Sequence, residues 1–221
     1  MKVMVLAAGR GARLRPITDS LPKPLVQLGG RCLVEHQLLA LAAAGLRDIV
    51  MNVAWLGDAI IDHLGDGSRY GVQIDYSREQ PGELDTGGGI VQALPRLGDA
   101  PFAVVNADVF TDFPFERLPL MRPAAQDDIH LVLVPNPPHK SRGDFSLEAG
   151  RLIRTAQAHT FSGIGVYHPR LFKGLAPGRR SLADVLFAAV DAGRASGELY
   201  RGRWHDVGTH ESLQALRQAH G

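Results

Sequence analysis

Apolar positions recur along this chain with two periods, and the two alternate. Val3, Met4, Val5 and Leu6 form an unbroken apolar run, the pattern of a short strand buried on both faces of a parallel sheet. From Leu33 to Ala44 apolar residues return at helical spacing and stop at Gly45, a residue suited to ending a helix. Asp48 to Val53 predicts a second strand, Asp58 to Leu64 a short helix and Gln73 to Tyr76 a third strand. Thr86 to Leu94 predicts a helix entered through three glycines, and Phe102 to Asn106 a fourth, buried strand. Strand and helix in alternation predict an α/β fold: a Rossmann-like, mostly parallel mixed sheet flanked by helices.

The second half loses this rhythm. His130 to Val134 predicts a strand, and Phe145 to Leu147, Leu152 to Arg154 and Phe161 to His168 predict shorter strands joined by turns. Together they suggest a small antiparallel lobe laid over the sheet edge. Helices are expected over Arg170 to Leu175 and Leu182 to Ala192, then a strand pair within Glu198 to Val207 and a terminal helix from His210. Pro135, Pro137 and Pro138 mark a seam, so residues 1–221 are expected to form one domain with a nucleotide-binding half at 1–134 and a capping half at 135–221.

Composition narrows the function. The 221 residues are 45% hydrophobic and 21% charged, as in ordinary globular proteins. A formal net charge of +1 leaves no broad basic excess for a nucleic-acid backbone. Cys32 is the single cysteine, so an internal disulfide is excluded. No apolar run approaches the length of a membrane span, and the expected compartment is the cytoplasm. None of the nine histidines pairs with a cysteine or carboxylate at zinc-ligand spacing along the chain.

The cations gather instead at one place. After the first strand, Ala7, Ala8, Gly9, Gly11 and Ala12 strip a loop of bulk, so that backbone N–H groups can approach an anion. Arg13 and Arg15 add fixed charge, and Lys23 stands between Pro22 and Pro24 on a stiff turn. A Walker loop is excluded because no Gly-Lys-Ser/Thr follows, and a dinucleotide fingerprint because Gly9-x-Gly11 lacks its third glycine. Nucleophilic hydrolysis is disfavoured too: there is no Gly-x-Ser-x-Gly, and Cys32 opens an apolar helix as a small hydrophobe would.

Two aspartates are placed for chemistry. Asp108 lies in Asn106-Ala107-Asp108, just past the fourth strand, at the sheet edge where open α/β folds bind ligands. Asp206 lies in Trp204-His205-Asp206-Val207-Gly208-Thr209, where packing alone does not ask for an acid. Gly82 to Gly89 opens a helix whose glycines would let a flat base lie against backbone; Thr86 could equally be a simple cap.

Leu6-Ala7-Ala8-Gly9-Arg10-Gly11-Ala12-Arg13-Leu14-Arg15-Pro16-Ile17-Thr18, followed by Pro22-Lys23-Pro24, closely resembles the signature of the sugar-1-phosphate nucleotidyltransferases. The resemblance extends over essentially the whole chain. It implies the nucleotide-diphospho-sugar transferase fold, a nucleoside triphosphate and a sugar 1-phosphate as substrates, and Mg²⁺ held by Asp108 and Asp206. It implies catalytic roles for Arg13 and Lys23 and nucleotide contacts from Ala7, Ala8, Gly9, Gly11, Ala12, Arg13, Lys23, Gly88, Asn106 and Asp108. Sugar contacts are implied for Asn106, Gly143, Asp144 and Gly163. Asn52 to Leu56, His63 to Gly71, Thr86 to Gly89 and Arg142 to Phe145 look like the uridylyltransferase branch of bacterial cell-wall recycling, which implies UTP and N-acetylmuramate 1-phosphate. The stretch Ser77 to Asp85 is a residue longer than that branch's pattern, so no base contact is assigned to Glu79 or Gln80.

Alternatives stay open at this stage. They are another sugar-1-phosphate thymidylyl- or guanylyltransferase, a phosphocholine cytidylyltransferase, and a non-catalytic nucleotide sensor. The sensor is opposed by the joint presence of Arg13, Lys23, Asp108 and Asp206. A monomer or a small homo-oligomer is expected.

Overall fold

The computed structural model describes residues 1–82, 84–138, 140–155 and 158–220. Its strands are β1 (Val3–Leu6), β2 (Gln27–Leu28), β3 (Arg31–Cys32), β4 (Asp48–Val53), β5 (Gln73–Arg78), β6 (Phe102–Asn106), β7 (Val109–Thr111), β8 (Ile129–Val134), β9 (Ser146–Glu148), β10 (Arg151–Ile153), β11 (Thr160–Tyr167), β12 (Ala195–Leu199) and β13 (Trp204–Asp206). The α-helices are α1 (Ile17–Ser20), α2 (Leu33–Ala43), α3 (Gly57–Leu64), α4 (Asp85–Leu97), α5 (Leu182–Asp191) and α6 (His210–His220).

A nine-stranded mixed sheet in the order β5-β4-β1-β6-β11-β8-β12-β10-β9 is the backbone of the molecule. Strands β5, β4, β1 and β6 are mutually parallel. Their apolar runs divide by strand alternation into two cores. Val3, Val5, Ile49, Met51, Ala103 and Val105 face the layer holding α2 and α3. Met4, Val50, Phe102 and Val104 face α4 and α5. Each fully buried side chain of this size contributes about 1.5–3 kcal/mol. That is why β1, β4 and β6 are almost wholly apolar, while the edge strand β5 alternates buried Ile74 with exposed Gln73 and Asp75.

A third, smaller cluster matters more for function. Leu14 from the first loop, Val26, Leu28 and Leu33 around the β2–β3 hairpin, and Val207, Leu213 and Leu216 near α6 pack together. They clamp the C-terminal segment onto the loop that follows β1.

The second half departs from expectation. The segment expected as Phe161 to His168 in a peripheral lobe is β11, which lies inside the sheet, antiparallel to both β6 and β8. Ser162, Gly163 and Gly165 give it the look of turn-rich edge structure, yet Ile164, Val166 and Tyr167 are buried. The glycine-rich composition reflects close packing between two neighbours. Only β9 and β10 form the antiparallel edge. The sheet therefore runs unbroken across the Pro135–Pro138 segment.

The expected strand pair within Glu198 to Val207 is not a pair. β12 joins the main sheet parallel to β8, and β13 pairs antiparallel with β7, a strand the pattern did not announce. Arg170 to Leu175 is reduced to a 3-10 turn over Pro169–Phe172. Among the described residues no helix is long and apolar enough to cross a membrane.

Candidate active site

The C-terminal ends of β1, β4, β5 and β6 open toward one edge, and the loop after β1 lies across it. Its first residue is tied down: the Ala7 N–H donates to Asn52 Oδ1 at 2.9 Å, and Asn52 Nδ2 donates to Glu79 Oε1 at 2.7 Å. Asn52, near the end of β4, thus links the loops after β1 and β5. Burial pushes the Glu79 carboxyl above the usual range, and the hydrogen bond from Asn52 opposes that rise.

Gly11 makes the sharp turn. Its φ is +66°, and a Cβ there would sit 3.0 Å from Thr18 Cγ2 and 3.1 Å from Lys23 Cβ. Its carbonyl accepts from Thr18 Oγ1 at 2.8 Å and from the Leu14 N–H at 2.9 Å. Arg10 stacks its guanidinium 4.3 Å from the Trp55 ring centroid, and Trp55 Nε1 donates to the Thr18 carbonyl at 2.9 Å. Arg13 runs beside Gly208, where a Cβ would lie 2.9 Å from a guanidinium nitrogen and 3.2 Å from Asp206 Oδ2.

Lys23 is buried, at 8% exposure, in a 3-10 turn flanked by prolines. Its Nζ contacts Asp108 Oδ2 and lies 3.9 Å from Asp206 Oδ1. The two aspartates that the sequence placed far apart therefore converge on one ammonium. The β7–β13 ribbon brings them together: Asp206 stands opposite Val109, and the Val207 N–H donates to the Asp108 carbonyl at 3.0 Å. Gln37, buried on α2, holds the turn from below. Its Nε2 donates to the carbonyls of Asn106 and Val109, which bracket Asp108, at 2.5 and 2.8 Å.

Two adjoining depressions share Gly9 and Asp108. The wider, about 430 Å³, runs from Gly9 and Trp55 past Asn52, Glu79 and Asn106 to Leu84–Thr86. The narrower, about 250 Å³, is walled by Gly9, Gly11, Ala12, Arg13, Lys23, Asp108 and Gly208. The narrow slot gathers Arg13 and Lys23, which suits an anionic group, and the wider one offers Trp55, Asn52 and Asn106 to a larger, mostly uncharged body. Two carboxylates facing one point offer hard oxygens and leave positions for phosphate and water. That donor set fits Mg²⁺.

Ala8, Gly9, Gly11, Ala12, Arg13, Lys23, Asn106 and Asp108 line these depressions, and Ala7 lies buried behind them. Other expected contacts fall elsewhere. The Gly88 N–H donates to the Arg180 carbonyl at 3.1 Å, and Gly88 packs against the Gly178 backbone. The helix start does not offer the unpaired donors that the glycine run suggested.

Gly143 packs tightly on Ala158 and His159. Asp144 Oδ2 accepts from the Phe161 N–H at 2.8 Å and from Lys140 at 2.6 Å. Neither residue lines either depression. Gly163, φ +78° at a β-bulge, backs the Asn106 side chain, where a Cβ would lie 2.7 Å from Asn106 Cγ. Gln37 is the residue that reading by function missed, and Asn52 and Trp55, though within the resembling stretch Asn52 to Leu56, were given no role there.

Comparison with known proteins gives a consistent picture. A family profile described as Nucleotidyl transferase matches residues 2–220. An N-acetylmuramate alpha-1-phosphate uridylyltransferase of Neisseria meningitidis serogroup B is 49% identical over 216 residues, 95% of this chain and 94% of that protein. A mannose-1-phosphate guanyltransferase of Aspergillus fumigatus is 33% identical over 94% of this chain, which spans 61% of that longer protein. Among solved structures, a Bacillus anthracis protein provisionally assigned as a glucose-1-phosphate thymidylyltransferase, in complex with a sucrose, superposes with a TM-score of 0.87. It is 20% identical, covering 100% of this chain and 95% of the other. HddC from Yersinia pseudotuberculosis, in complex with GMP-PN, gives a TM-score of 0.78 at 18% identity, covering 100% and 99%. At these identities the two structures speak for the fold alone.

Proposed function

Since the chain belongs to the nucleotidyl transferase family, we propose that it joins N-acetylmuramate α-1-phosphate to UTP, giving UDP-N-acetylmuramate and pyrophosphate in cell-wall recycling. The observation that carries the reaction class is the meeting of Lys23, Asp108 and Asp206 beside the Arg13 loop. The substrate pair rests on the Neisseria relative, whose likeness spans nearly all of both chains.

In this reading an oxygen of the sugar phosphate attacks the α-phosphorus in line. The bond from that phosphorus to the β-phosphate oxygen breaks. The nucleophile is already ionised at neutral pH, so no residue must remove a proton. Alignment and charge neutralisation carry the step.

Arg13 binds the triphosphate and the leaving pyrophosphate at the mouth of the narrow slot. Lys23 holds its ammonium where the α-phosphate and the incoming phosphate meet. Asp108 and Asp206 would hold Mg²⁺, which would supply neutralisation of phosphate charge. Backbone N–H groups around Gly9 to Ala12 cradle the phosphates, and the wide slot receives the nucleoside with Asn106 toward the sugar.

The test is pyrophosphate release with Mg²⁺ across nucleoside triphosphates and sugar 1-phosphates. Turnover confined to UTP with N-acetylmuramate 1-phosphate supports the full reading. Turnover with mannose 1-phosphate and GTP instead would keep the mechanism and discard the recycling role. No turnover with any pair, while nucleotide still binds, would return the sensor.

A further inference from the structure

Away from the loop after β1, three potential metal ligands from separate parts of the sequence meet. Cys32 closes β3 and caps α2, Glu35 lies in the first turn of α2, and His63 lies near the end of α3. Their donor atoms all fall within 4.8 Å of one another. Cys32 Sγ is 3.8 Å from His63 Nε2, which is 3.1 Å from Glu35 Oε1. A tetrahedral zinc ion, about 2.3 Å from sulfur and about 2.0 Å from nitrogen or oxygen, would separate such atoms by about 3.3–3.5 Å. The observed separations bracket that range.

The geometry points to a divalent-metal site of the zinc class at Cys32, Glu35 and His63, separate from the site between Asp108 and Asp206. Three arguments support it. A thiolate, a carboxylate and a neutral imidazole sum to two negative charges, which a divalent ion cancels. Ligand softness is mixed as zinc prefers, whereas Mg²⁺ takes oxygen alone.

The surroundings are also those of a held ligand. Tyr70 Oη donates to Glu35 Oε1 at 2.7 Å, and the Cys32 N–H donates to Glu35 Oε2 at 2.8 Å, which fixes the carboxylate. Cys32 is fully buried, so its sulfur is screened from solvent. His63, with its side chain 38% exposed, provides the entry path and a water-accessible fourth position. Binding would exchange the thiol proton, released to solvent, for a metal–sulfur bond. It would tie the β2–β3 hairpin and α2 to α3, adding stability to the packing and capping that Cys32 already provides.

The test uses the full chain, freed of metal by a chelator and titrated with Co²⁺ and then Zn²⁺. One equivalent of Co²⁺ is expected to raise sulfur-to-cobalt charge-transfer absorption in the near ultraviolet, which Zn²⁺ abolishes. Cobalt held only by Asp108 and Asp206 cannot give that signal. Cys32→Ser should remove the absorption, and His63→Gln should weaken Co²⁺ binding by at least about ten-fold. His63 is partly exposed, so its variant should fold even if the buried Cys32 variant is damaged. Circular dichroism of each metal-free variant checks this. Absence of the thiolate absorption in the parent chain would overturn the site. So would a His63→Gln variant that titrates like the parent.

Discussion

Gln37 reaches the carbonyl of Val109 at 2.8 Å across 72 positions of sequence, and the carbonyl of Asn106 at 2.5 Å. The two acceptors flank Asp108, so one buried amide on α2 sets the height of the carboxylate at the sheet edge. Gln37→Met keeps the volume and removes both donors. It should cost about 1–3 kcal/mol, the penalty of leaving buried acceptors unpaired. It should also lower kcat more than it raises KM for the nucleotide. Thermal unfolding with steady-state kinetics checks both; unchanged kcat in a folded variant would reduce Gln37 to packing.

Asp108→Asn and Asp206→Asn each delete a charge facing Lys23 at nearly constant shape. Each should lower turnover by at least about a hundred-fold while the fold persists, since charge placement dominates such sites. Pyrophosphate release across a Mg²⁺ titration, with circular dichroism as control, decides it. Near-normal rates at saturating Mg²⁺ would remove the metal assignment.

Gly11→Ala forces a side chain into left-handed backbone between Thr18 and Lys23. The conformational cost is about 1–2 kcal/mol. Displacement of Lys23 should weaken nucleotide binding as well. Calorimetric titration with UTP checks the second effect; parental affinity would mean that the loop tolerates the shift.

Glu79 carries a pH signature. Burial raises its folded-state pKa above the ordinary 4.5, so the fold favours the neutral acid. That contribution is complete below the unfolded pKa and is lost as pH rises through the folded value. Glu79→Gln stays neutral and keeps an acceptor for Asn52 Nδ2. It should therefore be more stable than the parent at neutral pH, with the gap closing toward acid. Melting temperatures that stay parallel across pH would exclude a raised Glu79.

Local pattern carried much of this protein. The unbroken run Val3 to Leu6 had to be a strand buried on both faces, because no polar face exists to meet water. The apolar periodicity of Leu33 to Ala44 set α2 nearly to its bounds, at Leu33–Ala43. The loop residues Gly9 to Arg13 and the Pro22-Lys23-Pro24 turn marked a candidate anion site by composition, Asp108 stood out by its place past a strand end, and Asp206 because packing had no use for an acid there.

Tertiary structure decided what joins what. Nothing local in Trp204 to Asp206 selects Val109 to Thr111 as its partner, yet that pairing puts Asp206 beside Asp108. The central place of β11 followed from burial on two faces that glycine and serine disguise. The Gly88 N–H and the Asp144 carboxylate find their partners in Arg180, Phe161 and Lys140, which no local pattern singles out. Cys32, Glu35 and His63 likewise become neighbours only when α3 packs beside α2. The physical reason is common to all of these. Periodicity records whether a residue is buried by its own element, while the choice of partner is a free-energy comparison among distant surfaces, made only when the whole core closes.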